Sequence, residues 1–212
     1  MLSLVSIAAA VVIIVIIGAA LGRFPNVWEW VGIILAVVGV GIGLPSLLQR
    51  VFGRAKLLTE YDKYGQGQEA ALVVFLKNPP LERKSFLRKL GVRRETISSL
   101  AASFRIFEKA RVVIPVMQAR VYCDDEASEA GRWRVDLAPT FSVSASIVVA
   151  RWDSRKKKAI VAGDRTKEPV ELSAGVYSIA MVYLVDGQPE NESREFVVGE
   201  SGDELRWIEG QN

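Results

Sequence analysis

The pattern of apolar and polar positions changes character near residue 50. Before it lie two uncharged apolar runs. Met1 to Gly22 carries no charge, and Leu4 to Leu21 is built from Val, Ile, Ala, Leu, Gly and a single Ser. The second run extends from Trp30 to Gln49. At about 1.5 Å rise per residue, each is long enough to cross a hydrocarbon core about 30 Å thick. The pattern predicts two membrane helices, about 3–22 and 28–49. Arg23-Phe24-Pro25-Asn26 is too short a connection for anything but an antiparallel hairpin, here residues 1–52, with both chain ends on one side. Trp28 and Trp30 open the second span, where amphipathic rings favour the headgroup zone. A cleaved signal peptide fits the first run poorly: nothing basic precedes it, and a second span follows at once.

Within the second span Gly32, Ala36, Gly39 and Gly43 recur at helical spacing, a stripe of small residues that lets another backbone approach. Gly18 and Gly22 form a matching pair in the first span. The stripe's partner is the first span, a second copy or another protein. No ionisable residue lies deep in either span, so no ion path is expected. Pro45 and Gly53 predict a kinked helix end that leaves the bilayer. The loop offers only Arg23, whereas Arg50, Arg54 and Lys56 follow the second span, so flanking charge places both termini in the cytoplasm.

From about residue 55 to 200, short segments rich in Val, Ile, Phe and Tyr alternate with turn signals, the pattern of an all-β sandwich or barrel. Residues 201–212 read as a tail. The clearest strands are Ala70 to Lys77, closed by Asn78-Pro79-Pro80; Arg111 to Tyr122; Phe141 to Trp152; Ala159 to Ala162; Val176 to Val185; and Glu195 to Val198. Ile97 to Phe107 fits both the helical and the strand period, and its place between strands favours a strand. Pro115 confines its segment to a sheet edge or a bulge. Gly65-Gln66-Gly67 reads as a linker.

The stretch Val170-Glu171-Leu172-Ser173-Ala174-Gly175-Val176-Tyr177 is followed by Ile179, Met181 and Tyr183 in alternation, then by Asp186-Gly187. It resembles the corner between strands E and F of immunoglobulin-like sandwiches. That resemblance implies a hydrogen bond from the Tyr177 hydroxyl back to the corner backbone, and a final hairpin of strands F and G. The disulfide pair of antibody domains is absent, and no activity follows from the fold.

Composition removes much chemistry. The chain has 27 basic and 24 acidic residues, net +3, and no histidine. Only Arg23 and Glu29 of these charges precede Arg50. Without histidine, Ser-His and Cys-His catalysis and histidine-ligated zinc hydrolysis are excluded. The single cysteine, Cys123, makes no intrachain disulfide and reads as a small apolar strand residue. No nucleotide-binding glycine loop or nucleophile elbow occurs, and no cofactor or metal is expected. Asp124, Asp125, Glu126 and Glu129 lack calcium-loop spacing and read as turn residues.

Two basic clusters stand out: Arg83, Lys84, Arg88, Lys89, Arg93 and Arg94; and Arg155, Lys156, Lys157 and Lys158 at a hairpin turn. In the first, Phe86, Leu87 and Leu90 share one side of a short amphipathic helix suited to a membrane surface, with a solvated loop as the alternative. Nucleic acid is not expected, because the clusters lack stacking aromatics beyond Phe86. The expectation is a non-enzymatic membrane protein whose bilayer-anchored, cytoplasmic sandwich binds a protein partner or assembles with its own kind, as an accessory or scaffold subunit of a membrane complex. The alternative is an envelope-side sandwich that binds glycan, for which Trp133, Trp152 and Trp207 are the available aromatics.

Overall fold

The computed structural model describes residues 43–44, 46–82, 84–123, 131–142, 145–161 and 168–209. The two expected spans lie almost wholly outside these residues. Among the described residues no helix is long and apolar enough to cross a membrane. The chain divides into two compact units, residues 1–54 with 80–95, and residues 55–79 with 96–212.

The larger unit is an all-β sandwich of two antiparallel sheets. Its strands are β1 (Leu58–Tyr64), β2 (Ala71–Lys77), β3 (Ile97–Glu108), β4 (Arg111–Ala119), β5 (Val121–Cys123), β6 (Val135–Leu137), β7 (Ala145–Asp153), β8 (Lys158–Val161), β9 (Val170–Leu172), β10 (Gly175–Val185), β11 (Gln188–Val198) and β12 (Arg206–Trp207). One sheet runs β1-β2-β7-β8-β9 with β5 also on β7; the other runs β12-β11-β10-β3-β4 with β6 also on β3. The chain changes sheet at Arg120, between β4 and β5, and again at Ser173-Ala174, between β9 and β10.

Alternation dictates which side chains meet between the sheets. Tyr177, Ile179, Met181, Tyr183 and Val185 of β10 face inward, as do Leu100, Ala102, Phe104 and Ile106 of β3. They meet Leu72, Val74 and Leu76 of β2 and Ile147 and Val149 of β7. Each such fully buried aliphatic side chain contributes roughly 1.5–3 kcal/mol relative to exposure. The ambiguous run from Ile97 is therefore a strand. Pro115 sits in β4, at a sheet edge, where the register with β3 shifts between Phe104 and Ile106.

Among the described residues Asn78 is the buried polar side chain, and its groups are satisfied. Its Nδ2 donates to the Leu137 carbonyl at 3.0 Å and its Oδ1 accepts from the Lys56 amide at 3.3 Å. Its own carbonyl accepts from the Thr140 amide at 2.9 Å. One residue thus ties two distant segments, at Lys56 and at Leu137–Thr140, to the end of β2. Gly65 to Gly67, expected as a linker, belongs to the sandwich: Gly67–Glu69 form a 3-10 turn, and the Gly67 amide donates to Asp203 Oδ1 at 2.9 Å. The sheet continues past residue 200, with Leu205 in the core and β12 paired to β11.

In the smaller unit, residues 46–52 form helix α1 and Phe86–Lys89 the single turn α2. Helix α1 stops at Gly53, whose amide donates to the Gln49 carbonyl at 2.8 Å. Gly91, at φ +85°, terminates α2: its amide donates to the Arg88 carbonyl and the Val92 amide to that of Leu87, at 3.0 and 3.1 Å. This paired closure needs a left-handed residue, which glycine supplies without steric cost.

Candidate interaction surfaces

The residues expected to pack or flank the membrane helices, Gly18, Gly22, Gly32, Ala36, Gly39, Arg23, Trp28 and Trp30, lie outside the described residues, as does Arg83. The acidic turn at 124–130 does too. Gly43 is exposed in a helical segment with open space around its Cα. Arg50 and Arg54 are exposed at the end of α1, and Lys56 is exposed at the start of the sandwich unit.

The two basic clusters belong to different units. In the smaller unit the first cluster is fastened to α1. The Gln49 side chain donates from Nε2 to the Arg93 carbonyl at 2.8 Å and accepts the Arg93 amide on Oε1 at 2.9 Å, as a paired strand would. Beside it the Glu95 amide donates to the Gly53 carbonyl at 2.7 Å, and Arg94 Nη1 donates to the Arg54 carbonyl at 2.7 Å. Residues 44 positions apart in sequence are thereby held side by side. Arg50, Arg54, Arg88, Lys89 and Arg93 come onto one small body. Of the expected amphipathic side, Leu87 and Leu90 are half-buried whereas Phe86 is 70% exposed.

The second cluster is a structural turn. Asp153 Oδ1 accepts the amides of Arg155 and Lys156 at 2.9 and 3.2 Å, and Lys157 takes a left-handed conformation at φ +51°. Lys156 and Lys158 both bond the Glu171 carboxylate on β9, at 2.8 and 2.9 Å. Hydrogen bonds to these two ammonium groups hold the Glu171 carboxyl down at about 2 and push Lys156 up. Two of the four basic side chains of the tetrad thus share one exposed carboxylate.

Each sheet carries a concavity on its outer face. On the first sheet a groove of about 580 Å³ has an apolar floor of Val73, Phe75 and Val148, bordered by Tyr64, Tyr122 and Arg151. These floor residues alternate with the core-facing Leu72, Val74 and Ile147, so they point away from the core. The signal was present in the sequence: Ala71 to Leu76 is continuously apolar rather than alternating, the mark of a strand with two apolar faces. On the second sheet a concavity of about 350 Å³ is lined by Ser103, Gln118, Trp133, Arg134, Val182 and Leu184. The three tryptophans do not form a platform. Trp152 is buried, Trp207 packs edge-on against Tyr61 and Phe196, and Trp133 is half-buried with the Arg120 guanidinium 5.2 Å from its ring centre.

Cys123 is half-buried at the end of β5 and packs on the core. Among the described residues no three acidic or cysteine side chains converge as a metal site requires. Compared with protein-family models, curated proteins and solved structures, the chain matches none, so its function is argued from its own residues.

Proposed function

We propose that this chain is a non-enzymatic membrane protein: a two-helix anchor that presents a cytoplasmic immunoglobulin-like sandwich to a protein partner. The observation that carries the interaction role is the groove over Val73, Phe75 and Val148. An apolar floor with an aromatic and cationic rim is the composition of protein-binding pockets, where aromatic and arginine side chains supply most of the affinity. The uncharged runs before Gln49 and the basic residues after it support the anchor and its orientation.

The finer fold assignment has two supports. The Tyr177 hydroxyl donates to the Ser173 carbonyl at 2.9 Å, four residues upstream, as in the tyrosine corner. The order β1-β2-β7-β5 parallels A-B-E-D of that fold, and β11-β10-β3-β4 parallels G-F-C-C′, with β6, β8, β9 and β12 additional.

The test is site-specific photocrosslinking in the membranes that contain the protein. A photoreactive residue replacing Val148 is expected to give one discrete protein adduct, abolished by Phe75→Arg. No adduct, or a smear unaffected by Phe75→Arg, would remove the groove as the partner site. A cysteine at Asn212 that reacts with an impermeant reagent in intact cells would reverse the orientation. In that case the envelope-side glycan reading gains weight, because Trp133 sits beside Gln118 and Arg134 in the second concavity. Association through the small-residue stripe is tested separately: replacing Gly39 and Gly43 with Leu is expected to weaken helix pairing in a membrane.

A further inference from the structure

The smaller unit exposes charge and apolar surface that nothing among the described residues satisfies. Arg50, Arg54, Lys84, Arg88, Lys89 and Arg93 are all exposed and form no ion pair there. The acids of the same described segments are Glu82 and Glu95. Leu44, Leu47, Val51 and Phe52 are exposed, and so is Phe86 at 70%. At about 100° per residue, Leu44, Leu47 and Val51 fall on one side of a helix, and Gln49 and Gly53 on the opposite side. The polar side is the one that Arg93 and Glu95 occupy through Gln49 and Gly53. Among the described residues the apolar side is exposed where the chain emerges from its second uncharged run.

We propose that residues 46–54, 80–82 and 84–95 form a platform for anionic phospholipid headgroups, fixed by the Gln49–Arg93 clamp. The bare stripe of α1 enters the acyl region and Phe86 inserts at the interface. The six cations take phosphate and carboxylate groups of the lipids. An uncommitted basic loop would dock weakly, since it would lose conformational freedom on binding. The clamp removes that cost by holding the Arg93 backbone against α1 beforehand. The occupant follows from complementarity: unpaired cations beside exposed aliphatic and aromatic groups match an anionic bilayer surface, where charge and apolar burial add. This inference rests on the membrane anchorage proposed above.

The experiment uses the full chain with Cys123→Ser and Phe86→Cys, reconstituted in nanodiscs of phosphatidylcholine alone or mixed with phosphatidylserine. A nitroxide on residue 86 reports depth through its relative exposure to oxygen and to a water-soluble nickel complex. The expected result is burial at the headgroup boundary that deepens with phosphatidylserine and weakens with salt. Converting Arg88, Lys89 and Arg93 to Gln should lower the docked-to-undocked ratio about fivefold for each cation removed. Gln49→Ala should leave far-UV circular dichroism unchanged while mobilising the label. A label that stays in water in both lipid mixtures overturns the platform while leaving the anchor intact. Shielding independent of lipid charge, and lost at one chain per disc, would assign the surface to a second copy and overturn it equally. Release of the protein from native membranes by alkaline carbonate would remove the anchor itself, and the platform with it.

Discussion

The indole Nε1 of Trp207 donates to the backbone carbonyl of Asp62 at 2.9 Å, and this single bond joins the last strand to the free edge of the first. Among the described residues β1 pairs only with β2, so its outer carbonyls and amides form an open edge that could template pairing with another chain. The segment after residue 200 covers it. Trp207 sits edge-on to Tyr61 at 4.8 Å, and Lys63 Nζ donates to the Asp203 carbonyl at 2.8 Å. Removing the ring of Trp207 loses packing on Tyr61 and Phe196 as well as the edge cap. Trp207→Ala is expected to cost about 2–3 kcal/mol, below the value for a fully buried tryptophan because this one is half-exposed. Urea denaturation measures the loss. Light scattering is expected to show concentration-dependent self-association that Trp207→Phe, which keeps most of the packing, shows more weakly.

Tyr177 gives a cleaner measure of one hydrogen bond. Its ring stacks on Phe196 at 5.5 Å while its hydroxyl reaches Ser173, so Tyr177→Phe removes the bond and keeps the packing. The Ser173 carbonyl lies at an exposed corner and can be rehydrated. A loss of about 1 kcal/mol is therefore expected in the unfolding free energy, with the denaturant dependence unchanged. A change in that dependence would mean that the corner itself had opened.

That bond was legible in advance because its determinants are local. A corner followed by strict alternation at Tyr177, Ile179, Met181 and Tyr183 writes strand, face and tyrosine partner into a dozen residues. β1 left no such trace. Its inward side is Thr59, Tyr61 and Lys63, and every position is half-buried or exposed, so no apolar period marks it. β11 was visible only where Phe196 and Val198 enter the core; Gln188 to Arg194 is polar on both faces, and pairing with β10 alone extends it. The Gln49–Arg93 clamp could not have been read at all. It uses an ordinary amide side chain and a main chain that only folding brings near. The groove is intermediate, because the continuous apolar run of β2 announced two apolar faces without telling what the second one meets.

Alkaline pH should unfold the sandwich through two phenols. The Tyr61 and Tyr183 hydroxyls lie 3.4 Å apart, and Tyr183 also bonds Met181 Sδ at 3.1 Å. Burial pushes both phenols well above the ordinary tyrosine value; for Tyr61 the Tyr183 and Glu192 groups push further in the same direction. In the unfolded chain each ionises near about 10. Stability is therefore full below that pH and falls as pH rises beyond it, because the unfolded state gives up protons that the folded state retains. The phenolate absorbance of Tyr61 and Tyr183 is expected to appear only in step with loss of circular dichroism. Tyr61→Phe should shift the alkaline midpoint upward.

Acid acts on the opposite edge of the same sheet. Lys156 and Lys158 hold the Glu171 carboxyl at about 2, against its ordinary value near 4.5. A depressed carboxyl contributes above its unfolded value and loses that contribution as pH falls through the folded one. The contact between the β7–β8 turn and β9 should therefore weaken between about pH 4.5 and 2. Because the pair is exposed, the effect on global stability is small and screened by salt. Carbon-detected titration of the Glu171 side chain reads it directly. Lys156→Gln together with Lys158→Gln should move the midpoint back toward the unperturbed carboxylate value.

The last contact that fixes the C-terminal segment is one that only glycine permits. Gly202 is buried, and a Cβ there would fall on the carbonyl oxygen of Gly67 and press on the Trp152 ring. Neither neighbour can retreat easily: the Gly67 amide is bonded to Asp203, and Trp152 is part of the core. Gly202→Ala must therefore separate the two 3-10 turns, Gly67–Glu69 and Gly202–Glu204, rather than rotate a side chain. Overpacking of this kind costs about 1–3 kcal/mol. The displacement should also loosen the Lys63 and Trp207 contacts that cap β1. Hydrogen exchange is the decisive measurement, with faster exchange expected at Gly67, Leu205 and Ile208 and unchanged protection at the centre of β10. Uniform loss of protection across both sheets would show instead that the segment is not a separately yielding part of the sandwich.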